Sequence, residues 1–343
     1  MIHIGIIGCG KIAQTRHLPE YAGNKDVVID GIYDMNTERA KTIADVYNTR
    51  AFASWEELLA YSSIDAVSIC TANTTHSALT IAALSAQKHV LCEKPMGITL
   101  DECEAMVKTA KDNKRFLMIG HNQRLTRTHQ KAKELLLQGI IGNLCTFSTS
   151  FRHSGPETWT IDPGQIWFFD KQKASMGVMA DLGIHKTDII QYLTGQHITQ
   201  VTAQLCTLDK KKADGSFIEV DDNAFCIYKL ENGITGTMAA SWSCYGPEDN
   251  STVLYGTEGV MYLYTNPAHS LIIERKNGER ILYTLDKIQT NETQTKSGVI
   301  DTWLNCLRKN IPPEISGEEV LHSMRAVFAA ATSAQTGTTI NIL

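Results

Sequence analysis

Residues 92–96 read CEKPM, with Lys94 between Glu93 and Pro95. The pair follows the apolar run HVLC, so a carboxylate and an ammonium stand where a strand should end. A surface salt bridge is one reading. The other is a lysine aimed into a cleft, where its ammonium would hold a reacting oxygen and stabilise negative charge developing there. Pro95 restricts Lys94 to extended backbone, which helps to aim the side chain. The Lys94–Pro95 bond is a candidate cis peptide of a tight turn. Glu93 pairs with Lys94, caps the turn or reaches a cofactor ribose. A second set lies in MADLGIHKTDIIQYLTG (179–195), which reads as a helix ending at Gly195. Asp181 and His185 are four apart and share a face, with Asp188 three further on. A carboxylate beside an imidazole fixes its tautomer and raises its pKa; the alternative is a capping aspartate with an incidental histidine. Gly183 inside that helix costs about 1 kcal/mol relative to alanine, which suits a site where something approaches closely.

A third set is GCGKIA (8–13). Gly8 permits a tight turn, Gly10 lets a pyrophosphate approach the backbone, and Ala13 allows close helix–strand packing. Lys11 and Ile12 open the following helix, whose free N–H groups and partial positive charge suit phosphates. Asp34 ends the next apolar run, 24 residues after Gly10. That is near the spacing of an acid that bonds a ribose 2′-hydroxyl, and a carboxylate there disfavours a 2′-phosphate, so NAD is expected over NADP. Arg39 either swings in to a 2′-phosphate or lies on a solvated helix face. Asp34 is equally placed to cap that helix.

These sets require elements to hold them. Apolar runs at 2–7, 27–34, 65–70, 89–93 and 116–121, with a short AFA at 51–53, read as strands. Helical stretches at 11–23, 37–48, 75–87 and 99–114 alternate with them, and Pro19 falls inside the first. Ser54 with Glu57 forms a capping box, and Thr99 caps the last helix. The pattern predicts a doubly wound parallel sheet whose ligand sits at the carboxyl ends of the strands, beside Gly8, Asp34, Thr71 and Glu93. Asn73 and His76 follow the strand at 65–70; Asn73 could bond the nicotinamide ribose, and His76 reaches the cofactor or caps the next helix. Beyond residue 140 the pattern alternates. Asn-Gly turns in NAFCIYKLENGITGTMAASWS and SLIIERKNGERILYTL predict hairpins of an antiparallel sheet, packed on helices on one face and on another subunit on the other. Aromatics and polar groups in FRHSGPETW (151–159) and GQIWFFD (164–170) suit a sugar ring, with Arg152, His153 and Trp167 as substrate candidates. Gln123 and Arg124 are hinge or ligand contacts. KKKADGSFIEVDD reads as a solvated excursion.

The chain has 343 residues, 43% apolar and 20% charged, with net charge −5. That suits a two-domain globular protein, and scattered Lys and Arg argue against nucleic acid. No run is apolar enough to span a membrane, and MIHIGIIGCGKIAQ reads as a strand and turn rather than a signal peptide. Nine dispersed cysteines without a C-x-x-C pair suit a reduced, cytoplasmic setting, without disulfides or a metal site.

With GIIGCGKIAQTRHLP, SICTANTTHSALTIAALSAQKHVLCEKPM, GHNQR and ADLGIHKTD in this order, the chain resembles the Gfo/Idh/MocA family of sugar and polyol oxidoreductases over nearly its whole length. Ala72 stands where the family more often has proline. The resemblance implies an N-terminal Rossmann domain (1–122) and a C-terminal α+β domain (123–343). The latter's open, mostly antiparallel sheet would form a homodimer or homotetramer interface. It also implies that Lys94 lies near the nicotinamide and the reacting carbon, with Asp181 and His185 completing the catalytic set. Oxidising a secondary hydroxyl of a sugar, sugar derivative or cyclitol needs a hydride acceptor and a base. His185 is the expected base, since an imidazole ordinarily titrates near neutrality. A desolvated Lys94 is the alternative. Two other activities fit the same residues: reduction of a non-sugar carbonyl or imine, as in biliverdin-type reductases, and NAD-sensing regulation without catalysis.

Overall fold

β1 (Ile2–Ile7), β2 (Val27–Tyr33), β3 (Ala66–Ile69), β4 (His89–Cys92) and β5 (Leu117–Ile119) form one sheet in the order β2-β1-β3-β4-β5. Every pairing is parallel. Ile4, Ile6, Ile7, Val67, Ile69, Val90 and Leu91 are fully buried, as expected of strands covered on both faces. The short run AFA adds no strand. Ala51 forms a single bridge to Ile32, and the helix Trp55–Ala60 begins almost at once, capped by Ser54. β2 and β3 flank β1 on opposite sides, so the order of the strands switches at the carboxyl ends of β1 and β3. That is where open α/β sheets bind ligands.

The computed structural model describes residues 1–162, 166–288 and 296–342. The start of GQIWFFD lies outside the described residues. Two units group the chain: 1–121 with 159–167 and 291–321, and 122–158 with 168–290 and 322–343. The chain thus passes between units beside the cut read at 122/123, and the first unit also takes in two later segments. One of these carries the helix Val299–Lys309, whose Val299, Ile300, Trp303 and Leu304 are buried. Ser297 N–H donates to Glu20, and Ile119 N–H donates to Ile315.

The second unit holds a nine-stranded sheet. Its strands are β6 (Leu144–Arg152), β7 (Ile198–Cys206), β8 (Asn223–Leu230), β9 (Thr235–Ser241), β10 (Thr252–Gly256), β11 (Gly259–Leu263), β12 (Leu271–Arg275), β13 (Arg280–Tyr283) and β14 (Ile340–Asn341). The order is β13-β12-β11-β10-β6-β9-β8-β7-β14. Only β6–β9 is parallel among these pairs; the rest are antiparallel. Both Asn-Gly hairpins form, β8–β9 and β12–β13. β8 alternates strictly after its start: Ala224, Cys226, Tyr228 and Leu230 are buried, while Phe225, Ile227 and Lys229 are exposed. The helices Arg127–Leu137 and Ile184–Thr194 pack on each other, and the latter also packs on β6. Among the described residues, no helix is long and apolar enough to cross a membrane.

Candidate active site

Gly8 leaves β1 with φ +92°. A Cβ there would lie 2.8 Å from the backbone of Cys70 and from Thr71 Cγ2, so the crossing of two chain segments demands glycine. Gly10 differs. An added Cβ would meet no protein atom closer than Cys70 O at 3.8 Å. Packing does not require a bare backbone at Gly10, whereas a phosphate lying on it does. Lys11 and Ile12 begin the helix, which continues as a π-turn over Ala13–His17 and an α-helix over Leu18–Ala22. The widened turn accommodates Pro19, because it shifts the bonding partners by one residue just where proline lacks an N–H.

Asp34 is buried and oriented by backbone amides. Its Oδ2 accepts from Cys9 N–H at 2.7 Å and its Oδ1 from Asn36 N–H at 2.8 Å. Asn36, not Asp34, caps the helix Thr37–Val46. A carboxylate has about four lone-pair directions, so Asp34 retains capacity for ribose hydroxyls. These features fit a dinucleotide. Arg39 does not lie on a solvated face: Nη2 donates to Asp162 Oδ1 at 2.7 Å, and Nη1 lies 3.8 Å from Asp34 Oδ1. Lys11 Nζ stands 5.9 Å from the centre of the Trp159 ring.

At the ends of β3 and β4, Thr71 Oγ1 accepts from Thr75, and a buried Asn73 opens a turn over Asn73–Thr75. His76 is fully buried. Its Nδ1 faces Pro95 O at 2.7 Å and its Nε2 faces Thr71 O at 3.1 Å. The ring therefore joins the two loops, and burial pushes its pKa down. The Lys94–Pro95 peptide is cis, and Lys94 is half-buried. Glu93 is held inside the unit: its Oε1 lies 2.7 Å from His17 Nε2. Burial alone would raise its carboxyl. The hydrogen bond and charge of His17, with Arg16 and Lys94, outweigh burial and bring it down to about 2. Glu93 thus ties the π-turn to the end of β4, an arrangement that the spacing of residues 17 and 93 does not reveal.

In the second unit a π-turn over Met179–Gly183 leads into the helix Ile184–Thr194, closed by Gly195 at φ +65°. The turn is set from afar. Asp221 accepts from Gly177 N–H at 2.8 Å and Met179 N–H at 2.7 Å, and its main-chain oxygen accepts from Val178. Burial pushes the Asp221 carboxyl up. Trp242 Nε1–H donates to Asp181 Oδ2 at 3.1 Å, and the indole packs against Phe168 and Phe169. The excursion expected to be solvated therefore ends in two anchoring carboxylates, of which Asp222 is buried and accepts from the amides of 208–210. The close approach at Gly183 comes from the protein itself, since an added Cβ would sit 2.7 Å from Met179 Sδ.

His185 is buried, with its ring centre 6.0 Å from that of Phe151. Arg124 Nε and Nη2 donate to the two Asp188 oxygens at 2.7 and 2.6 Å, and Ser323 adds a third bond. Arg124 and Asp188 are both buried. Lys186 is fully buried, donates to Asn250 O, and is pushed down to about 7 by burial. Arg152 ends β6, its main chain bridged to Asp249. His153 is buried and accepts from Gly155 N–H. Trp167 begins the turn Trp167–Phe169 and groups with the first unit. His17, Trp242, Asp221 and Asp162 carry no local motif; only their distant partners identify them.

A glycine turn at the switch point of a parallel sheet, with a buried acid just after the next strand, fits a dinucleotide-binding protein. The chain belongs to the Gfo/Idh/MocA family. Residues 2–121 match its oxidoreductase domain, described as an NAD-binding Rossmann fold, and residues 129–262 match its C-terminal domain. It is similar to glucose-6-phosphate 3-dehydrogenase of Bacillus subtilis, 31% identical over 73% of this chain and 70% of that one. It is also similar to myo-inositol 2-dehydrogenase of Thermotoga maritima, 25% identical over 97% of this chain and 96% of that one. An oxidoreductase from Agrobacterium radiobacter, solved with NAD+, L-tartaric acid and magnesium, has the same fold. Its TM-score is 0.86 and its identity 24%, covering 99% of this chain and 98% of the other.

Proposed function

We propose that this chain is an NAD-dependent dehydrogenase that oxidises a secondary hydroxyl of a sugar, sugar derivative or cyclitol. The observation that carries the coenzyme reading is the buried Asp34 carboxylate, aligned by the Cys9 and Asn36 amides next to an open Gly10. The substrate class is supported by relatives named for inositol and glucose 6-phosphate. Gly8, Gly10, Lys11 and Ile12 would hold the pyrophosphate, Asp34 a ribose, and Thr71 and Asn73 the nicotinamide side. When bound, the nicotinamide supplies the hydride acceptor.

We assign to Lys94 the role of holding the reacting oxygen and countering its developing charge. We assign to His185 the role of base, with Asp181 bonding the substrate or steadying the base. Arg152, His153 and Trp167 are assigned to the sugar. The exposed face of the second sheet carries Phe225, Ile227 and Tyr255, which supports pairing with another copy of the chain as a homodimer or homotetramer. Nine free thiols, most of them buried, support a cytoplasmic setting.

The test is NADH formation across a panel of inositols, aldoses and sugar phosphates, with NADP in parallel. Turnover of at least one polyol with NAD is expected. Binding of NAD without turnover of any polyol, or turnover confined to a non-sugar carbonyl, overturns the substrate reading.

A further inference from the structure

The chain leaves the second unit after Thr158, contributes 159–167 to the first, and returns. Two residues of this segment meet cations of the first unit: Trp159 faces Lys11, and Asp162 pairs with Arg39. Arg39 is the group that a 2′-phosphate would need, because a guanidinium following the ribose-reading acid is what accommodates that phosphate. Here it faces two carboxylates, Asp162 at 2.7 Å and Asp34 at 3.8 Å. Asp34 is engaged with backbone amides, so the better-formed ion pair of Arg39 is the one to this segment.

We propose that Asp162 is a specificity-determining residue for the coenzyme: placed 123 positions from Arg39, it holds the guanidinium and so withholds it from a 2′-phosphate. NAD, with a free 2′-hydroxyl, needs neither group released. The inference rests on the coenzyme reading above and extends it to a residue outside the nucleotide motif. Asp162 is half-exposed, so its effect is that of a partly screened ion pair, about fivefold in the ratio of affinities.

The experiment is calorimetric titration of NADH and NADPH into the wild type, Asp162→Asn, Arg39→Gln and the double variant. Asp162→Asn is expected to shift the ratio of the two Kd values about fivefold toward NADPH, and the double variant is expected to lose that shift. An unchanged ratio in Asp162→Asn overturns the proposal. So does equal tightening of both nucleotides, or a shift that survives in the double variant, since either makes Asp162 a general field effect. A wild type that binds neither nucleotide defeats the coenzyme reading itself, and this inference with it.

Discussion

Each unit carries a π-turn beside its candidate site residues, and the two turns are built differently. The turn over Ala13–His17 follows a glycine turn made by its own neighbours, Gly8 and Gly10, and accommodates a proline two residues later. The turn over Met179–Gly183 has no such local cause. Its amides are held by Asp221, and its Asp181 by Trp242, more than 40 residues further along. π-turns recur at functional sites because the extra residue re-aims a side chain. In the first unit that side chain is His17, which fixes Glu93; in the second it is Asp181, one helical turn before His185. A locally encoded site tolerates change elsewhere in its unit, whereas a remotely held one depends on the core around it.

The sharpest break of that comparison lies under the second helix. Arg124→Ala leaves Asp188 charged and buried, and denaturant unfolding should show a loss of about 3–5 kcal/mol. A loss below about 1 kcal/mol would mean that the second unit is not organised by this pair. Lys94→Ala should lower kcat about 100- to 1000-fold while calorimetry still detects NADH binding. His185→Ala should lower kcat by a similar factor, about 100- to 10,000-fold. Loss of NADH binding in His185→Ala would contradict a role confined to acid–base chemistry.

Smaller effects sharpen the electrostatics. The Glu93 carboxyl titrates at about 2 in the folded protein against its ordinary 4.5. Its contribution is therefore complete above pH 4.5 and lost as pH falls through about 2. The difference in melting temperature between wild type and Glu93→Gln should shrink across that window. Lys186, buried near Asp249, Glu248 and His129, is lowered from 10.5 to about 7, so the unfolded chain holds a proton that the folded one releases. Wild-type stability should carry a component that rises from pH 7 to 10.5, and Lys186→Met should lack it.

The sheet of the first unit was legible because its strands are unbroken apolar runs separated by helix-patterned segments, and the hairpins of the second because Asn-Gly turns specify them. AFA was misread as a strand because β propensity says nothing of whether the chain continues alongside its neighbour. His76 and Glu93 looked like ligand residues because a polar group after a strand points toward the cleft. In the folded chain each also joins two segments of the same unit. Asp188 sat at the right spacing to serve His185, yet Arg124 holds both of its oxygens.

Residue order alone determined the Gly8 turn and the alternation of strand and helix that puts Asp34 just after β2, because each depends on bonds among near neighbours. Tertiary structure decided which charged groups remain available for chemistry. Burial makes an unpaired charge costly, so Glu93, Asp188 and Arg39 take partners that only the folded chain brings within reach.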